Sequence, residues 1–302
     1  MSEEILATGR FRVDRKRALE KMERFQLADP LAYTLELVAA AVAAGATRIA
    51  VENDSDDFVL RWDGAGPERD ELDGLFDHLF GGASGPRAAF LQHLAMGVLG
   101  ALGQSPKWVH VDRPGLRLAV TDPTETQAVE LAHAPFPDGA TTRVHVRQRW
   151  SLANVAEALL LPLHGAPEAR LLRDRARWCP VPLTLDGTPV ERPKPPLAFA
   201  EATTRGHLWL VEGPSRVDIV RHGIVVGTLE RSVGSLGVFG WLPGDGVNLD
   251  ASRAEIVRDK AFEALDRALD DAVAALVATF AATAGPRVVA LDAARAPDEL
   301  LR

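Results

Sequence analysis

Cysteine is almost missing from this chain. Among 302 residues only Cys179 is one, so an internal disulfide and a cysteine-based zinc site are both excluded, in keeping with a reducing compartment. Long apolar runs are missing too: none reaches the roughly 20 residues that span a bilayer. The first residues, MSEEILATGR, have neither the basic nor the apolar region of a signal peptide. A cytoplasmic protein that does not enter a membrane is the expectation. There is no cluster of lysine and arginine, and with a formal net charge of −8 a broad, nonspecific nucleic-acid surface is disfavoured, although a local groove is compatible with this charge.

Several catalytic signatures are missing as well. The glycine-rich GGASG at 81–85 is not followed by Lys-Ser or Lys-Thr and is not a P-loop, and WDGAGP at 62–67 is not a dinucleotide fingerprint. No serine sits in a nucleophile elbow. His78 and His93 fall in helical patterns without the paired spacing of a metal site, so they read as structural or surface histidines and no metal ligand set is assigned.

What is present is a chain that is 47% apolar and long enough for two ordinary cores, which predicts two domains, 1–150 and 151–302. Residues 11–26 read as a short strand entering a polar-faced helix. ADPLAYTLELVAAAVAAG restarts the helical pattern, with Asp29 as N-cap, Pro30 as first helical residue and Gly45 as stop. This helix is apolar nearly all round and so should be buried, yet it carries one carboxylate, Glu36. TRIAVEN and DFVLRWD read as strands joined at DSDD. A helical stretch around ELDGLFDHLF, a glycine-rich break and a second buried helix, RAAFLQHLAMGVLGALG, follow. Strands and turns continue to TTRVHVRQ.

The second unit opens near Ser151 with helical stretches LANVAEALLL and EARLLRDRARW. Strands are expected at VPLTLDG, HLWLVEG, VDIVRHGIVVGTL and SLGVFGWL, with the proline-rich VERPKPPLA as a loop inside one sheet. A long helix closes the chain. Ser252 and Glu255 fit a capping box at its start, and Gly285-Pro286 fits its stop.

In order and spacing these pieces resemble the GHKL ATPase superfamily, which includes gyrase and the mismatch-repair protein MutL, and most nearly its ninety-kilodalton heat-shock chaperones. The likeness runs collinearly over about residues 11 to 285, with no counterpart of the chaperones' C-terminal dimerisation domain. It implies an α/β (α+β) chain: a GHKL-type (Bergerat) α/β sandwich followed by an α/β middle domain. It implies ATP as ligand, with Glu36 at the position of the glutamate that activates water. Ala40 stands where an asparagine usually holds magnesium, and it offers no oxygen to a hard cation. RWDGAGP aligns with the Asp-x-Gly-x-Gly motif through Gly64 and Gly66. Trp62 then takes the position of the adenine-binding aspartate, and the neighbouring Asp63 replaces it only if the strand is shifted or bulged. GGASGPRAAF matches the lid, and LAMGVLGAL the helix start that cradles phosphates, with Ala95 and Gly97 for the paired glycines. Thr142 of DGATTRVHV matches a threonine at the adenine end of the pocket. RARWCPVPLTLDG resembles the chaperones' entry into the middle domain. VNLDASRAEIVRD resembles the segment whose arginine reaches the γ-phosphate, which places Arg253 in that role.

Each of these residues has a second reading. Glu36 is either a general base or an inherited carboxylate satisfied in a disused pocket, and Arg253 is either a phosphate contact or a helix-start residue paired with Glu255 or Asp250. The glycines serve turns and helix packing, and Trp62 fills the adenine space or covers the core. Three functions follow. One is an ATP-dependent, chaperone-like switch. Another is a degenerate ATPase acting as a conformational or protein-interaction module with a protein partner or client. The third is a MutL-like or gyrase-like nucleic-acid factor, which the net acidity opposes. The loss of the magnesium and adenine residues selects the second.

Overall fold

A computed structural model describes residues 17–19, 21–22, 27–54, 56–81, 83–124, 126–131, 136, 138–149, 166–195, 197–203, 206–250 and 252–284. The expected helix LANVAEALLL and the stop at Gly285-Pro286 lie outside them, as does most of the expected strand and helix at 11–26. The chain is a mixed α/β protein built on two mixed sheets.

The first helix, α1 (Tyr33–Ala43), is entered through a 3-10 turn, Pro30–Ala32, which Asp29 caps by accepting a hydrogen bond from the Leu31 N–H at 2.9 Å. Gly45, at φ +73°, reverses the chain after the helix. Residues 33–41 are all buried, as an all-round apolar pattern requires. Strands β1 (Ile49–Asn53) and β2 (Asp57–Trp62) form an antiparallel hairpin. In β2 the side chains of Phe58, Leu60 and Trp62 alternate into the core.

A short helix, α2 (Arg69–Asp73), precedes α3 (Pro86–Leu102), whose N-cap is Gly85 and whose first residue is Pro86. Next come β3 (Trp108–Arg113), β4 (Leu116–Val120), β5 (Ala128–Glu130) and β6 (Thr142–Arg147). Helix α4 (Pro167–Arg175) leads to β7 (Leu183–Leu185) and β8 (Thr188–Pro189). The first sheet has the order β5-β4-β3-β6-β2-β1-β7-β8.

β7 departs from expectation. It pairs in parallel with β1, Ile49 opposite Leu183, so VPLTLDG extends the first sheet and does not help build the second. Leu183 and Leu185 fill the core under α1, and the proline-rich stretch then connects the two sheets.

Helices α1 and α3 pack directly against each other over the first sheet. Their close approach depends on Gly97: a Cβ there would lie 2.6 Å from Leu37 Cδ2 and 3.2 Å from the Leu37 backbone nitrogen. Leu37 is fully buried and has no room to swing away. Gly97→Ala is therefore expected to destabilise the fold by about 1–2 kcal/mol, the overpacking cost exceeding the alanine's gain in helix propensity. Urea titration of the two proteins checks this.

The second sheet contains β9 (Ala198–Ala202), β10 (His207–Glu212), β11 (Arg216–Arg221), β12 (Ile224–Leu229), β13 (Ser232–Val233) and β14 (Leu236–Pro243). Its order is β12-β11-β14-β10-β9, with β13 beside β14. VDIVRHGIVVGTL, read as one strand, is a hairpin: His222 (φ +45°) and Gly223 (φ +81°) turn β11 into β12, the two positive φ values of a tight hairpin turn. Helix α5 (Lys260–Ala284) buries Leu269 and Leu276 against Leu208, Leu210 and Val238. It starts later than expected. Asp259 Oδ1 accepts hydrogen bonds from the N–H groups of Ala261 and Phe262, while Ser252 and Glu255 belong to a separate turn gathered around Asp250.

Candidate functional site

α1 projects Glu36 into a cleft that is closed from the other side by the segment after β14. Among the described residues both contacts of its carboxylate fall on Oε2: Arg253 Nη1 donates at 2.7 Å and His93 Nδ1 lies at 2.7 Å. Residues 217 positions apart thus meet. The chain of contacts continues, with His93 Nε2 2.8 Å from His222 Nδ1 and the two rings edge to face. The His222 backbone N–H donates to Asp245 Oδ1 at 2.9 Å. Arg253, at φ +56°, is held in a conformation uncommon for a side-chain-bearing residue.

Burial alone would raise the pKa of Glu36, but His93 and Arg253 outweigh it and hold the carboxyl at about 2. The group is therefore ionised at neutral pH. His93 then donates from Nδ1 to the carboxylate and, when neutral, accepts at Nε2 from Nδ1–H of His222. The pKa of His222 is lowered too, by burial and then by the proximity of His93, which for a base favours the neutral form. The arrangement is a continuous polar path, Arg253–Glu36–His93–His222, joining α1 and α3 to the β11–β12 turn.

The remaining predicted site residues sit as follows. Asp63 is turned to the α1–β1 loop, where its oxygens accept from Thr47 N (2.7 Å), Arg48 N (2.9 Å) and Thr47 Oγ1 (2.5 Å). Gly64, at φ +108°, lies against Ala44 and Ala46. Gly66 faces Thr142, whose Oγ1 would be 3.0 Å from a Cβ at that glycine. Thr142 is paired with Trp62 across β2 and β6. Both are buried, and Thr142 Oγ1 and Trp62 Nε1 have no hydrogen-bond partner among the described residues. Trp62 packs edge-on to Phe90. Ala40 is fully buried on α1. The helix start expected at Ala95 and Gly97 lies well inside α3, which begins at Pro86. The N–H of Gly97 belongs to the helix interior, and its bare Cα serves the contact with Leu37.

Sequence reasoning placed His93 among structural or surface histidines and gave no role to Arg221 or His222. The dipeptide His222-Gly223 between two apolar runs was the available signal for the turn that presents both. Asp54, Asp56 and Asp57 form an acidic group at the β1–β2 turn, where Arg147 already pairs with Asp56 and Asp57. No helix among the described residues is long and apolar enough to cross a membrane.

No protein-family model matches the chain, and no curated protein matches it.

Proposed function

We propose that this chain is a divergent GHKL-fold protein of the heat-shock-chaperone type, a degenerate ATPase that works as a conformational or protein-interaction module. The observation that carries this reading is the Glu36–Arg253 ion pair. The carboxylate at the water-activating position is bonded to the very arginine that the resemblance would place on the γ-phosphate. In this role the pair is a latch: it fastens the helical layer of the first sheet to the segment between β14 and α5, and a partner protein is the agent that opens or reads it.

The residues present do not fit the family's nucleotide. Trp62, at the adenine-binding position, offers only an N–H, so it has nothing with which to accept a bond from an adenine amino group. Its ring is packed in the core against Phe90. Ala40 supplies no oxygen for magnesium, and Gly97 is not at a helix start. No catalytic step is therefore assigned through ATP or magnesium. A second reading, an active switch with Glu36 as general base and Arg253 on the γ-phosphate, is favoured by one fact: those two side chains do converge.

Calorimetric titration with ATP, with and without magnesium, and then with ADP separates the two. The expected outcome is no saturable heat at millimolar nucleotide. Saturable binding in the micromolar range, together with turnover abolished by Glu36→Ala, would overturn the proposal and establish the switch.

A further inference from the structure

The cleft beside Glu36 contains more than the latch. It encloses about 120 Å³, enough for several water-sized groups. One wall is apolar, formed by Leu35 and Ala39 of α1, Leu171 of α4, Ile224 and Val226 of β12, and Leu249. Ala40, Trp62 and Thr142 do not line it, so it is separate from the positions at which the resemblance would place adenine and magnesium.

Three guanidinium groups, Arg175, Arg221 and Arg253, border this wall, against two carboxylates, Asp29 and Glu36. Glu36 is engaged by Arg253, and Asp29 is spent on the 3-10 turn before α1. Arg175 Nε donates to the Val225 carbonyl at 2.6 Å. The side chain of Arg221 has no hydrogen bond or ion pair among the described residues, and its Nε is buried without a partner. Burial and then the neighbouring charge of Arg253 depress its pKa, as expected for two cations facing one low-dielectric space. A buried guanidinium nitrogen left unsatisfied is costly, and an anion is the group that would relieve it.

We propose that this cleft binds a small organic monocarboxylate, its carboxylate held by Arg221 beside Arg175 and its short hydrocarbon body lying on Leu35, Leu171 and Ile224. The guanidinium fork matches a carboxylate in two-point geometry. Three arginines face two carboxylates at this wall, with His93 lining it as well, so the charge of the cleft favours an anion. The apolar wall accounts for the hydrocarbon body. This site goes beyond the latch reading and does not depend on nucleotide.

Hexanoate is a suitable probe, titrated calorimetrically into the full chain without nucleotide, with hexanol and inorganic phosphate as comparisons. Saturable hexanoate binding is expected, weakened about tenfold or more in Arg221→Gln by loss of a charge-assisted hydrogen bond. Leu171→Trp, which fills the cleft and keeps all three arginines, should also abolish it; this second variant maintains the test if Arg221→Gln does not fold. No hexanoate binding, unchanged affinity in Arg221→Gln or Leu171→Trp, equal binding of hexanol, or tighter binding of phosphate would each overturn the proposal. An ATP titration that revives the switch would leave these outcomes untouched, because none of the probes is a nucleotide.

Discussion

Replacing Asp218 by alanine is expected to lower the unfolding free energy by about 3–5 kcal/mol, the cost of breaking a buried ion pair from one side. The carboxylate is 2% exposed and sits on β11 as the acceptor for groups from several places in the chain. Arg177 donates from Nε at 3.0 Å and from Nη2 at 2.7 Å, Trp178 from Nε1 at 2.6 Å, and Thr228 from Oγ1 at 3.0 Å. Arg177 is itself mostly buried and Trp178 is packed among Val220, Val225 and Trp209. Alanine would leave Arg177 with only the exposed Asp174 as its counter-ion, and an indole N–H without its acceptor, inside the protein. Urea unfolding of the wild type and the variant at neutral pH reads the difference. A loss below about 1 kcal/mol would show that water reaches these donors and that the network is peripheral. The double replacement Asp218→Leu with Arg177→Met discriminates further. Removing both charges should recover much of the loss, because the destabilisation arises from the orphaned partner and not from the missing attraction.

The asymmetry between local and distant information decides what the sequence reveals. α1 is legible because its start, its stop and its apolar surface lie within one stretch, Asp29 to Gly45. Glu36 is conspicuous for the same reason, since a lone carboxylate in such a helix must have partners. Those partners are not local. His93 is 57 positions away, and His222 is a further 129 beyond His93. His93 therefore looked like any histidine on a buried helix. Strand β7 shows the same limit: three residues, Leu183–Leu185, carry an ordinary strand pattern, and nothing near them signals pairing with β1 instead of the second sheet. The start of α5 was misplaced for a different reason. Ser252 and Glu255 have capping-box spacing, but Asp250 takes up the local N–H groups, leaving Asp259 as the functional cap. A histidine at positive φ is uncommon, which is why the β11–β12 turn at His222 read as continuous strand.

Glu36→Gln is the second substitution expected to have a large effect, and its pH dependence tests the latch as an electrostatic device. The folded pKa of about 2 lies below the ordinary value of 4.5, so ionised Glu36 favours the folded state. Its contribution is fully present above pH 4.5 and is lost as the pH falls toward 2. A displacement of this size corresponds to about 3 kcal/mol at neutral pH. The amide keeps the shape of the side chain and removes its charge, leaving Arg253 and His93 without their shared anion. The wild type should therefore exceed Glu36→Gln in stability by about 3 kcal/mol near pH 7, and the gap should narrow through the acid range and nearly close at about pH 2. Asp112 also steepens the acid limb. Burial opposes its ionisation, but hydrogen bonds from Arg117 and Arg143 prevail and lower its pKa. That contribution is common to both proteins and cancels in the difference. His222 is favoured neutral by burial, so its destabilising protonation begins below the ordinary histidine range and does not imitate a carboxylate titration ending near pH 2. Denaturant titrations at a series of pH values give the difference directly. If it stayed constant from neutral pH to about 2, Glu36 would titrate alike in the folded and unfolded protein, and the Arg253–Glu36–His93 path would provide no electrostatic latch.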